Sequence, residues 1–122
     1  MDVHDNEILT YTVDFENKEI TMKTINRKRE IIFVKFKDVL VHYFEMAMPN
    51  SIIFDIDEYE GIEVIKENRE LLKNTKDFCW PVGYENESDL IKNLEGYKYY
   101  IINSSSGLTG WVLAKSIEFY KE

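Results

Sequence analysis

Alternation of apolar and polar residues at a period of two runs through the first part of the chain and constrains the fold most. Leu9, Tyr11, Val13 and Phe15 alternate with Thr10, Thr12 and Asp14, the signature of a strand buried on one face. After the polar break Glu16-Asn17-Lys18, Ile20, Met22 and Thr24 alternate with Glu19, Thr21 and Lys23, so a second strand returns as a hairpin. Ile32, Val34 and Phe36 against Lys35 and Lys37 predict a third strand, with Phe33 covered on the other face. Val39 to Met46 predicts a fourth, and Ile52 to Ile56 a short fifth after the Pro49-Asn50-Ser51 break. About five N-terminal strands therefore read as an antiparallel meander.

The period then lengthens. Tyr59, Ile62, Ile65 and Leu72, with Val64 and Leu71 beside them, recur at helical spacing. Asp57 is placed to cap this helix and Glu58 and Glu60 to fill its first turn, where acids suit the helix dipole. One main helix is predicted from Glu58 to Asn74. Phe78 to Tyr84 reads as an ordered aromatic loop, and Ser88 caps a short second helix that Gly96 stops. Tyr97 to Ile102, Trp111 to Leu113 and Ile117 to Tyr120 read as short C-terminal strands, with a turn at Asn103 to Gly107. A chain of 122 residues buries roughly two-thirds of its unfolded surface. With no repeat, linker or low-complexity tract, the expectation is one α+β domain over residues 1–122.

Charge narrows the partners. The chain carries 23 acids and 15 bases, a net charge of −8. Nucleic acid and anionic membranes need a basic footprint, so neither is expected as a partner. The single cysteine, Cys79, allows no internal disulfide and predicts a reducing, cytoplasmic setting. The start, Met1-Asp2-Val3-His4-Asp5, lacks the basic and apolar stretches of a signal peptide, and no run reaches the ~18 apolar residues of a membrane span.

No constellation carries a reaction. Asp55-Ile56-Asp57 followed by Gly61 misses the calcium-loop rule, because Tyr59, Glu60 and Lys66 occupy ligand positions. The Asp-x-Asp pair by itself reads as a strand end entering a helix cap. His4, His42 and Cys79 lack zinc spacing. Cys79 with His42 is the one nucleophile and base pairing, but Cys79 beside Trp80-Pro81 reads as a small buried hydrophobe. Ser104-Ser105-Ser106 has no nucleophile elbow. Neither a catalytic group nor a cofactor or metal is expected.

What remains is a located charge. From Asp55 to Glu70 there are seven acids, Asp55, Asp57, Glu58, Glu60, Glu63, Glu67 and Glu70, against Lys66 and Arg69. Glu63, Glu67 and Glu70 fall at i, i+4 and i+7 on one helical face, with Glu60 on the same side. Lys18 to Lys37 is opposite in sign, with seven bases and two acids. The acids form a candidate docking surface for a basic protein, with Trp80 and Tyr84 as candidate aromatic anchors.

The segments Tyr11-Thr12-Val13-Asp14-Phe15, Ile32 to Val39 and Asn50 to Ile56 resemble small bacterial immunity proteins that neutralise polymorphic or contact-dependent growth inhibition toxins. The resemblance covers mainly the first 60 residues. It implies a non-enzymatic protein, monomeric or weakly dimeric, that binds a cognate toxin directly, a nuclease with a basic site among the candidates. The alternative is a small ligand-binding or catalytic α+β domain, marked by a deep pocket with converging polar groups. A homodimer built on exposed aromatics is a third.

Overall fold

The computed structural model describes residues 2–122. The expected hairpins form: β1 (Glu7–Asp14), β2 (Glu19–Ile25) and β3 (Ile31–Lys37) pair in sequence as an antiparallel meander. Ile20, Met22, Ile32, Val34 and Phe36 are buried along one face, as their period of two dictates.

The meander ends there. β4 (Val41–Glu45) pairs with β7 (Thr109–Ala114) rather than with β3. β5 (Ile52–Glu60) pairs with β6 (Lys98–Ser106), and β8 (Ser116–Lys121) returns to β3. The order across the single sheet is β4-β7-β6-β5-β1-β2-β3-β8. The α+β expectation is therefore corrected. The chain is dominated by one eight-stranded antiparallel sheet, with three short helices inserted mid-chain.

The sheet folds back on itself. Only Glu7 and Ile52 join β1 to β5 in the ladder, so the sheet is hinged there into two halves. Their inner faces meet: Phe36 of one half packs against Tyr100 of the other with ring centroids 5.6 Å apart. Ile20, Met22, Val34, Ile53, Ile102 and Val112 complete this inner core. Its few polar side chains are satisfied, as burial requires. Asn6 Nδ2 donates to Thr24 Oγ1 at 3.0 Å, and Thr24 Oγ1 donates to the Ile32 carbonyl at 2.8 Å.

The expected helix from Glu58 to Asn74 is also corrected. Glu58, Tyr59 and Glu60 are strand residues, paired with Tyr100, Tyr99 and Lys98. Gly61 ends the strand: its N–H donates to the Tyr97 carbonyl at 2.9 Å, and a Cβ there would lie 2.7 Å from that same oxygen. The helical stretch then splits into α1 (Glu63–Glu67) and α2 (Arg69–Thr75) at Asn68. Asn68 leaves helical geometry, at φ −128° and ψ 30°. A 3-10 turn (Lys76–Phe78) and α3 (Glu87–Asn93) follow. Asn86, not Ser88, caps α3, its side chain accepting from the Asp89 N–H at 2.9 Å.

These helices cover the outer face of β6, β7 and β4. Val64, Ile65, Leu72, Leu90 and Leu94 bury against Tyr99, Trp111 and Leu113, alternate residues of the strands whose other faces fill the inner core. β6 also runs through the serines expected to form a turn. The turn lies at Gly107-Leu108, where Gly107 has φ +78° and sits against Ser51, leaving no room for a side chain. No helix among the described residues is long and apolar enough to cross a membrane.

Candidate functional site

The seven acids lie on one continuous stretch but not on one face. Strand alternation sends Asp55, Asp57 and Tyr59 to the helix side of β5, and Ile56, Glu58 and Glu60 to the other. Ile56 packs on the inner core, while Tyr59, itself exposed, meets Tyr99 on the helix side at 6.3 Å between ring centroids. Glu60 therefore does not share the helical face of Glu63 and Glu67.

On the helix side, one amide holds two carboxylates. Asn103 Nδ2, across the ladder on β6, donates to Asp55 Oδ1 at 2.6 Å and to Asp57 Oδ2 at 3.0 Å. This puts a hydrogen-bond donor between the pair, where a cation would need acceptors. No group of three His, Cys, Asp or Glu side chains among the described residues is arranged to hold a metal ion.

Glu67 reaches back from α1 to the sheet. Tyr99 Oη donates to Glu67 Oε2 at 2.7 Å, and Asn68 Nδ2 donates to Tyr99 Oη at 3.2 Å and to the Val64 carbonyl at 3.0 Å. Burial, and then the Glu67 carboxylate, hold the Tyr99 phenol far above its ordinary range. Burial, with Glu58 beside it, pushes the Tyr100 phenol up to about 12. Two acids carry ion pairs: Lys98 Nζ lies 2.7 Å from Glu60, and Lys66 Nζ lies 3.4 Å from Glu63. Hydrogen bonding to Glu60 raises the Lys98 pKa. Asp55, Asp57, Glu58, Glu67 and Glu70 have no ion pair within 4 Å among the described residues.

Trp80 and Tyr84 belong to the layer between helices and sheet. The Trp80 ring stands 5.6 Å from Trp111 and 6.2 Å from Tyr43. Tyr84 Oη donates to the Leu72 carbonyl at 3.4 Å, with Lys76 Nζ 5.4 Å from its ring centre. Both are half-buried, so packing engages them. Cys79, expected to be buried, is exposed, in a left-handed backbone conformation at φ 58°.

Sequence reasoning passed over a cleft of ≈540 Å³ where β1, the β3–β4 connection and the Trp80-Pro81 loop meet. Val13, Ile20, Val39, Val41 and Trp80 line it, with His42 on one wall. Burial lowers the His42 pKa. The missed signal was topological: nothing local in Val39 to Glu45 says that this strand leaves its neighbour and opens a gap.

No family model matches the chain, and no curated protein matches it. A solved structure, described as an uncharacterized protein from Neisseria gonorrhoeae, is similar at 12% identity, over 95% of this chain and 90% of that one, with a TM-score of 0.55. That likeness shows a shared fold and nothing of activity.

Proposed function

We propose that the chain is a non-enzymatic binding protein that neutralises a cognate bacterial toxin in the cytoplasm by direct contact. The carrying observation is the concentration of unpaired carboxylates on β5 and the helices that follow it. Asp55, Asp57, Glu58, Glu67 and Glu70 carry no ion pair among the described residues. Asn103 and Tyr99 hold three of them in fixed positions. Fixed, uncompensated charge steers association with a basic surface and loses little side-chain entropy on contact. A nuclease whose substrate site is basic fits such a face. Co-expression with the C-terminal domain of a secreted protein encoded upstream tests the reading. Growth rescue is expected, and is expected to be lost on Asp57→Lys with Glu67→Lys. A purified pair whose association rate is the same at low and high salt overturns the steering role.

One observation favours a second reading. The cleft beside His42 joins an apolar wall to a half-buried titratable group, the mark of a small-ligand site. Tight binding of a metabolite there, with no protein partner, supports it over toxin neutralisation.

A further inference from the structure

The strands flanking that cleft are both incompletely paired. Beyond Ile8, β1 has a ladder partner on its β2 side only. β4 is one end of the sheet. The two run side by side with no backbone hydrogen bond between them among the described residues. They are bridged by side chains, with Tyr11 edge-on to Phe44 at 5.4 Å. The ≈540 Å³ cleft lies on one side of this ring pair. A second, of ≈380 Å³ and lined by Leu9, Tyr11 and Met48, lies on the other.

Proteins commonly protect free strand edges with charge, proline, bulges or covering loops, because an open edge recruits other chains. The opposite edge, β8, is protected: Lys121 Nζ pairs with Glu30 at 2.6 Å, and Glu118 stands exposed. The β1–β4 seam is not. Ile8-Leu9-Thr10-Tyr11-Thr12-Val13 carries no charge. Phe15 is 83% exposed and Met46 72%, and Leu9, Tyr11 and Met48 are exposed with them. β1 does carry a bulge, between Ile8 and Thr10, at the end where its pairing with β5 stops.

We infer that the seam receives an extended segment of a protein partner, added as a strand along β1, with its successive stretches laying side chains into the two clefts. The unpaired backbone selects a polypeptide, since another strand matches the repeat of its N–H and C=O groups. The rim selects its charge. Asp14 and Glu19 line the larger cleft against Lys18, Glu16 and Glu45 stand exposed just past β1 and at the end of β4, and the whole chain carries −8. A second copy brings the same net charge of −8, whereas a strand flanked by basic residues is attracted. β1 neighbours β5 in the sheet, but none of the seven acids lines either cleft. The inference is therefore independent of the toxin reading.

The probe is a short synthetic peptide of alternating valine and threonine flanked by lysines, added to the full chain. Binding is read by tryptophan fluorescence and by amide exchange. Protection is expected at residues 10–14, and N-methylation of alternate peptide amides is expected to abolish it. Flanking glutamates in place of lysines are expected to weaken binding by about tenfold or more. Thr12→Lys and, separately, Met46→Lys place a charge on exposed edge positions. Each is expected to weaken binding about tenfold while leaving the thermal transition in place. Binding that ignores N-methylation makes the cleft a site for apolar molecules and overturns the inference. So does an unchanged exchange pattern along β1, or self-association that accounts for the protection.

Discussion

Alkaline pH weakens this fold through two tyrosines of β6. Tyr100 lies in the inner core, only 2% exposed, and its phenol is pushed from an ordinary 10.0 up to about 12 by burial, with the Glu58 carboxylate adding to it. Its folded pKa lies above its unfolded one. The stability it contributes is therefore complete below pH 10 and is lost as pH rises towards 12. At pH 11 the unfolded phenol is about ten-elevenths ionised and the folded one about one-eleventh. The linked loss is then about 1.4 kcal/mol. Glu58 is exposed, and screening of its charge brings the expected loss to about 0.7–1.4 kcal/mol. Tyr99 shifts the same way, for burial and for Glu67, and adds to the loss. Tyr100→Phe keeps the ring against Phe36 and removes the ionisation, and Tyr99→Phe does the same under the helices. Urea unfolding followed by tryptophan fluorescence at pH 8 and pH 11 measures the effect. The double variant is expected to lose less stability between the two pH values than the parent. An absorbance titration of the folded parent is expected to show two of the eight tyrosines ionising late. Equal losses in parent and double variant, or eight tyrosines titrating together, would refute the reasoning.

Four other outcomes are expected. Gly107→Ala forces a side chain into Ser51 at φ +78° and costs about 2–4 kcal/mol. Gly96→Ala, at φ +83° in open space, costs about 1 kcal/mol by the same denaturant assay. Phe36→Ala empties the centre of the inner core and costs about 3–5 kcal/mol, read as a fall in the urea midpoint at constant slope. His42 has its folded pKa lowered by burial, so its contribution is present above pH 6.5 and is lost as pH falls through the folded value. A histidine ring NMR titration locates that value, and His42→Gln is expected to flatten the acid side of the stability profile by under about 1 kcal/mol.

The strands legible in the sequence were those whose partners are local. Ile20 to Thr24 and Ile32 to Phe36 alternate cleanly because one face meets the inner core, and short turns leave each strand beside its neighbour, whereas Leu9 to Phe15 alternates in sequence but leaves Leu9, Tyr11 and Phe15 exposed and sets only Val13 of that series against the core. Val39 to Met46 alternates too, yet nothing in it says that its partner is Trp111 to Leu113. The misread helix has a similar origin. Tyr59 falls at helical spacing from Ile62 and Ile65, but Glu58, Tyr59 and Glu60 are held extended by Tyr100, Tyr99 and Lys98. Tertiary pairing overrode a local pattern. Gly61 was the visible warning inside the predicted helix. The acid run was legible as composition. Its division between two faces was not, because that follows from where the strand ends. Asn103, the residue that ties Asp55 to Asp57, sits forty-odd positions away, in a stretch that reads as a turn.

β5 and β6 are hairpin partners, yet α1, α2 and α3 all lie between them. The neck of that excursion is closed by the backbone hydrogen bond from Gly61 to Tyr97 and the Lys98–Glu60 ion pair beside it. In architectural terms the helices form a cassette spliced into a hairpin, whose two legs pair from Glu60 and Lys98 onward. Glu63, Glu67 and Glu70 travel with the cassette, whereas Asp55, Asp57 and Asn103 stay with the frame. Provided a replacement still shields Tyr99, Trp111 and Leu113 from water, the cassette can be rewritten while the sheet keeps its order. The seven acids are in this way divided between an insert and the frame that carries it.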